Sequence, residues 1–324
     1  MTNQKTTVNS VKERAKQKLE RDMGVSLLEE FNHPKTVELM LNDDGNVWIE
    51  RLGEKMKCIG QLRPAQSQAI IETIAGFHGK EVTRETPILE GEFPLDGSRF
   101  AGQLPPIVLA PTFAIRKKSI FVFTLEEYVN SGVMTEHQKD IIIKAVQEHK
   151  NILIVGGTGS GKTTLINAVI NEMVTNDPTE RICIIEDTGE IQCVAKNRIL
   201  YHTTLNVSMN TLLKVSLRMR PDRIIVGEVR GGEAMALLKS WNTGHEGGTA
   251  TIHANDAILA LSRMQSLIAE APEASNYTPD MINSLISEAV HFVVHIARTD
   301  TGRRVESIIE VLGYENGQFI TKHF

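Results

Sequence analysis

Cysteine is scarce in this chain. Its 324 residues hold three, Cys58, Cys183 and Cys193. No two are spaced C-x-x-C, which excludes the zinc-knuckle and thiol-redox signatures. So few thiols, odd in number, fit a reducing compartment rather than a disulfide scaffold. Aromatic residues are only 5%. No Arg/Lys cluster interleaves with them, so a stacking track for single strands is missing and no stable nucleic-acid binding is expected. Long apolar runs are absent too. The longest uncharged stretch, Phe100 to Ile115, holds Pro105, Pro106 and Pro111 and cannot be a spanning helix. The first residues show no apolar signal-peptide core. A cytoplasmic protein is therefore expected, unless partners hold it against a membrane. Charge is nearly balanced, with a net of −5. With 41% apolar and 23% charged residues, the composition is that of a soluble globular chain large enough for two cored domains.

Three regions follow from the texture of the chain. Residues 1–22 are polar and locally basic: Lys5, Lys12, Arg14, Lys16, Lys18 and Arg21 face Glu13, Glu20 and Asp22. A solvated helix from Ser10 is expected there, with Ser10 and Glu13 at capping-box spacing. Contact with anionic lipid is the sharper alternative. Residues 23–130 read as a small α+β domain. Asn46 to Arg51 forms a strand after the Asp44-Gly45 turn, Gln66 to Phe77 forms an amphipathic helix, and Ile88 to Phe123 is rich in β-formers. Residues 134–324 alternate helix and strand patterns, the mark of an α/β domain with a parallel sheet. Helices are expected over 135–149 and 163–174, and buried strands over 151–155, 181–185 and 223–226.

Between a predicted strand and a predicted helix stands Gly156-Gly157-Thr158-Gly159-Ser160-Gly161-Lys162-Thr163-Thr164. This run satisfies G-x-x-x-x-G-K-[ST], and in the context that the motif requires. Its glycines let backbone wrap a phosphate chain. Loop and helix-start N–H groups point at the anion. Lys162 adds positive charge at the β/γ-phosphates, and the Thr163 hydroxyl can ligate Mg2+. The pattern implies a nucleoside triphosphate, with ATP and Mg2+ as the expected ligands.

Hydrolysis needs further groups. Glu186 and Asp187 end one buried strand; Glu186 is the candidate to activate water, with Asp187 and Glu190 as support. Glu228 ends the strand from Arg223 and is the candidate for the magnesium side, through water. A strand-end glutamate paired with a nearby arginine is the plainer reading. The division of labour between Glu186 and Glu228 stays open. His245-Glu246 has no histidine at 249, so the zinc-protease pattern fails. His253 is the better candidate for sensing the γ-phosphate, by donating one N–H. Arg218, Arg220 and Arg230 bracket the strand from Arg223, and Arg99 and Arg116 lie in the N-terminal domain. Together they could spread positive charge over phosphate oxygens between two domains or two subunits.

Four blocks in this order carry a resemblance: the glycine-rich loop, Glu186-Asp187, Met219 to Gly231, and Thr243-Gly244-His245 with Thr251 to Ala254. They resemble the secretion traffic ATPases of type II and type IV systems. The resemblance implies an N-terminal α+β domain, a RecA-like P-loop ATPase domain and a homohexameric ring. It also implies nucleotide between the two domains, peripheral association with the cytoplasmic face of the inner membrane, and partners among the secretion or conjugation machinery. Lys162 and Thr163 would hold phosphate and magnesium. Glu186 and Glu228 match the acidic elements, His245 and His253 the histidine box, and Arg99 and Arg116 resemble N-terminal arginines that reach the phosphates. Type II members commonly carry a tetracysteine element after the histidine box. No cysteine follows Cys193, so the type IV, conjugal branch fits better than a pilus or type II motor.

Overall fold

The computed structural model describes residues 2–52, 54–117, 122–204, 206–300 and 302–324, with side chains described from Lys12 onward. The chain divides into two units, Met1–Ile120 and Phe121–Phe324.

The first unit runs α1 (Thr2–Asn32), β1 (Thr36–Leu41), β2 (Asn46–Arg51), β3 (Lys57–Gln61), α2 (Pro64–Phe77), β4 (Ile88–Glu92), β5 (Arg99–Gln103) and β6 (Thr112–Arg116). Among the described residues its strands form one sheet, in the order β3-β2-β1-β6-β5-β4. Each neighbouring pair is antiparallel. Leu19, Met23, Leu27 and Phe31 recur every four residues, so they line one face of α1. They are buried with Ile70, Ile71 and Ile74 of α2 and with Leu39, Phe100 and Ile115 of the sheet. This corrects the reading of residues 1–22 as a separate solvated segment, because Leu19 is fully buried in this core. The helix begins at Thr2 rather than Ser10 and is interrupted at Gly24, whose φ of 77° only glycine adopts readily. The Ser10 cap and the Lys5 charge lie outside the described side chains. So does the end of the 88–123 stretch, at residues 118–121.

The second unit runs α3 (Leu125–Asn130), α4 (Glu136–Gln147), β7 (Ile152–Val155), α5 (Lys162–Asn176), β8 (Ile182–Glu186), β9 (Arg198–His202), α6 (Met209–Ser216), β10 (Arg223–Val226), α7 (Glu233–Trp241), β11 (Thr249–Ile252), α8 (Ala257–Ala269), α9 (Pro279–Ala289), β12 (Phe292–Thr299), β13 (Gly302–Glu315) and β14 (Gln318–His323). Its sheet has the order β14-β13-β12-β7-β11-β10-β8-β9 among the described residues. From β12 to β9 every pairing is parallel, and β13 and β14 complete it antiparallel. Both faces are covered. The core with α6 to α9 includes Leu213, Leu238, Leu261 and Ile286. The core with α3 to α5 includes Tyr128, Ile142 and Ile166. Coverage on both sides explains why β7, β8, β10 and β11 are wholly buried, and why residues 152–155, 182–185 and 224–226 read as continuous apolar runs.

Helix starts follow local chemistry. Thr124 with Glu127, and Thr135 with Gln138, form complete capping boxes at α3 and α4. The boundary between units falls before α3 instead of at 130–134, because Leu125 and Tyr128 bury into the second unit with Met134 and Ile141.

One buried charge lies at the strand-start edge of this sheet. Arg223 is fully buried and Glu180 nearly so. Arg223 Nη2 donates to Glu180 Oε1 at 3.1 Å and to the Val146 carbonyl at 3.1 Å, and Nη1 donates to the Gly247 carbonyl at 2.9 Å. Glu180→Gln should therefore cost about 3–5 kcal/mol, because it leaves a buried guanidinium uncompensated. The midpoint of urea unfolding measures this.

Candidate functional site

In a parallel sheet the strand ends that face one way share an edge. Val155 of β7 pairs with Ile252 of β11, and Val226 of β10 pairs with both Ala250 and Ile185. The segments that follow β7, β8, β10 and β11 therefore leave the same edge. They carry the glycine-rich loop, Glu186-Asp187, Glu228 and His253. Open α/β sheets bind ligands along such an edge, where successive strands diverge. Here β7 is followed in sequence by β8, but β11 and β10 stand between them.

The loop from Gly156 to Gly161 joins β7 to α5, with Gly159 and Gly161 at φ of 69° and 101°. Gly156 is held where a Cβ would lie 2.2 Å from the Ile296 carbonyl oxygen. Ser160 is buried, and its hydroxyl has no hydrogen-bond partner among the described residues. Thr158 is exposed, and Gly157, Thr163 and Thr164 are half-buried. Lys162 is almost buried; its Nζ donates to the Gly156 and Gly157 carbonyls, each at 2.9 Å.

From Lys162 a run of polar contacts crosses the edge. Its Nζ stands 3.4 Å from His253 Nδ1. His253 Nε2 lies 2.6 Å from Glu228 Oε1. Glu228 Oε2 accepts from Arg230 Nε at 2.8 Å and also from Nη2. Arg230 Nη1 reaches Asp187 Oδ2 at 3.1 Å, and Thr203 donates to Asp187 Oδ1 at 2.9 Å. Partial burial, aided by the Lys162 charge, holds the His253 pKa below its ordinary 6.5 against the opposing pull of Glu228. The ring is therefore neutral at pH 7.

Glu186 has a different setting. It is buried, and its Oε1 accepts the backbone N–H groups of Glu190 at 3.0 Å and Ile191 at 2.9 Å. Gly227 lies against it: a Cβ there would meet Glu186 Cγ at 2.8 Å. That leaves no room for a side chain at position 227, so Glu228 is preceded by glycine.

Other sequence-predicted residues stand elsewhere. His245 precedes β11 and contacts the Pro221 carbonyl at 3.1 Å, so it lies at the opposite end of that strand from His253. Arg218 and Arg220 precede β10, at that same far edge; Arg220 is exposed and has a φ of 52°. Within one chain, neither they nor His245 join the loop. Arg99 and Arg116 belong to the first unit, where they are direct cross-strand partners on β5 and β6. Two contributors were missed in the sequence. Thr203 follows β9, a strand the patterning did not predict. Arg303 on β13 donates from Nε to the Gly159 carbonyl at 3.3 Å; neither lies in a motif, and no local spacing signals them.

Gly227→Ala should destabilise the protein by about 1–3 kcal/mol through overpacking against Glu186, read from chemical denaturation. Lys162→Ala should raise the His253 pKa, since the Lys162 charge helps to depress it; an NMR titration of the imidazole follows it.

A family model for type II/IV secretion system protein matches residues 23–311. The conjugal transfer protein TrbB of Rhizobium radiobacter is 47% identical over 307 residues, spanning 95% of this chain and 93% of that protein. The type IV secretion system protein PtlH of Bordetella pertussis is 32% identical over 292 residues, spanning 81% of this chain and 85% of that one. Among solved structures, the VirB11 ATPase of the Brucella suis type IV secretion system shares the fold at 24% identity, with a TM-score of 0.50 over 92% of this chain and 96% of that chain. The match over most of its length, joined to the close likeness of its relatives, makes this chain a member of the type II/IV secretion system protein family.

Proposed function

We propose that the chain is a Mg2+-dependent ATPase that drives a type IV secretion or plasmid-conjugation apparatus. The observation that carries this reading is the polar run from Lys162 through His253, Glu228 and Arg230 to Asp187, beside a glycine-rich loop at the strand-end edge. The likeness to a conjugal transfer protein over nearly the whole length supports the choice of machine. The second unit would be the RecA-like P-loop domain.

The roles follow from chemistry. Loop amides and Lys162 would bind the phosphates of ATP; Lys162 would exchange backbone carbonyls for phosphate oxygens. The partnerless Ser160 hydroxyl and the open space over Gly157 and Gly159 fit a compact anion. The Thr163 hydroxyl and Glu228 carboxylate are hard oxygen donors of the kind Mg2+ takes, Glu228 through water. Mg2+ bound there would neutralise charge on the phosphate oxygens. Of the two strand-end carboxylates, Glu228 is the better placed to orient the attacking water, because its Oε1 faces His253. Glu186, with Oε1 bound to two amides, would fix the loop beside it. The one N–H of neutral His253 faces Glu228, and it would reach a phosphate oxygen by exchanging that partner, as Lys162 would exchange its carbonyls. Arg230 would stabilise developing negative charge while holding Glu228 and Asp187 in place.

Arg220 stands at the far edge of its own sheet, so a part in catalysis requires a neighbouring copy. A homohexameric ring would supply one. The ring would work from the cytoplasmic face of the inner membrane with the other components of the apparatus. Among the described residues no helix is long and apolar enough to cross a membrane, which suits peripheral attachment through partners.

Lys162→Ala should abolish ATP hydrolysis in the purified protein; full turnover would remove the site assignment. In donor cells the same variant should collapse plasmid transfer at unchanged protein level, checked by immunoblot. Unchanged transfer would assign the motor to another machine. Activity should fall in acid as His253 protonates, at a lower pH than a free imidazole would, since burial and the Lys162 charge lower its pKa; the pH profile of hydrolysis checks this.

A further inference from the structure

The β12–β13 hairpin overhangs the glycine-rich loop and carries an unusual charge pair. β12 runs parallel to β7 as far as His295 opposite Val155 and then continues to Thr299. The continuation passes beside the loop: the Ile296 carbonyl closes over Gly156, and the Ile296 side chain packs at Gly161. On β13, Glu306 is an extra residue between the pairs His295–Ser307 and Ile296–Val305. Such a bulge turns the strand beyond it and re-aims its side chains. Beyond it, Arg303 pairs directly with Arg298. Directly paired residues share a face of the sheet, and like charges so placed repel. The period of two puts this pair on the face of Ile296 and Val305, the face packed toward the loop.

Arg303 already touches the loop. Its Nε donates to the Gly159 carbonyl at 3.3 Å, and a Cβ on Gly161 would lie 3.0 Å from Arg303 Cδ. Glycine at 161 therefore serves a second purpose besides its φ: it lets this arginine lie across the loop. Among the described residues, neither Arg298 nor Arg303 forms an ion pair with a carboxylate. Two exposed arginines paired directly across the hairpin beside an anion cradle, without a protein counter-charge, suit an anion as their shared partner.

We propose that Arg298 and Arg303 bind the phosphates common to ATP and ADP, and that the hairpin is a second phosphate-holding element facing the glycine-rich loop. Arg303 does this while tethering Gly159; Arg298 does it without touching the loop backbone. The inference rests on the nucleotide reading given above.

The test is calorimetric titration of ADP into the full-length protein and its variants, with thermal unfolding without nucleotide to verify the fold. Lys162→Ala tests the underlying reading: unchanged ADP affinity there would overturn that reading and this inference together. With that control weakened, Arg303→Ala and Arg298→Ala should each weaken ADP by about tenfold or more, as expected for loss of a charge-assisted hydrogen bond. Arg298→Lys should recover part of the loss. Weakening confined to Arg303→Ala would reduce the hairpin to a structural tether and overturn the phosphate pair. Unchanged affinity in both variants would overturn it outright while leaving the nucleotide site standing. If an alanine variant unfolds, Arg298→Gln and Arg303→Gln, which keep the side-chain bulk, decide by the same measurement.

Discussion

Leu153, Ala250, Val226 and Ile185 are tied into one row by parallel pairing, and the candidate site groups follow within one to three residues on each strand. That register does most of the positioning. A glycine-rich loop after β7, a carboxylate at the end of β8, another just past β10 and a histidine just past β11 need no further device to meet at one edge. The fully buried apolar strands keep the row rigid, since slipping one by a residue would turn its side chains to the opposite face. Beneath them, the pairing of Arg223 with Glu180 closes the other edge. The sheet thus has one edge built for stability and one that carries the candidate site.

Much of this was legible in the sequence, and for a physical reason. Strands covered on both faces read as continuous apolar runs, so β7, β8 and β10 are predicted within a residue or so. The amphipathic repeat of α2 and the helical pattern of α4 mark themselves equally well. The glycine-rich loop is visible because its chemistry is local. β9, by contrast, is half-exposed, and its alternating Arg198 to His202 pattern sits in a polar stretch. The first twenty-odd residues of α1 mislead because charge dominates their composition, although Leu19 is buried in a core. His245 and His253 look like one element in sequence, yet a strand of buried residues separates them. Long-range meetings, such as Arg303 with Gly159, leave no local trace.

Several glycines are best understood by what must approach them. Gly227 gives way to Glu186, Gly161 to Arg303 and Gly156 to the Ile296 backbone. Three neighbours of the edge therefore come within contact of main chain rather than of side chains. Such closeness adds steric confinement to the hydrogen bonds that already hold Glu186 and Arg303. It also explains the intolerance expected there for even a methyl group.

The place of β7 in the sheet bears on how the protein is made. It is the first strand of the second unit to leave the ribosome, yet its two neighbours, β11 and β12, come from the far end of the chain. Contacts of such sequence separation form late and slowly. Until β11 and β12 have been synthesised, the strand that launches the glycine-rich loop has no partner on either side. The loop therefore acquires its shape only when nearly the whole chain is present, so nascent fragments would not compete with finished subunits for nucleotide.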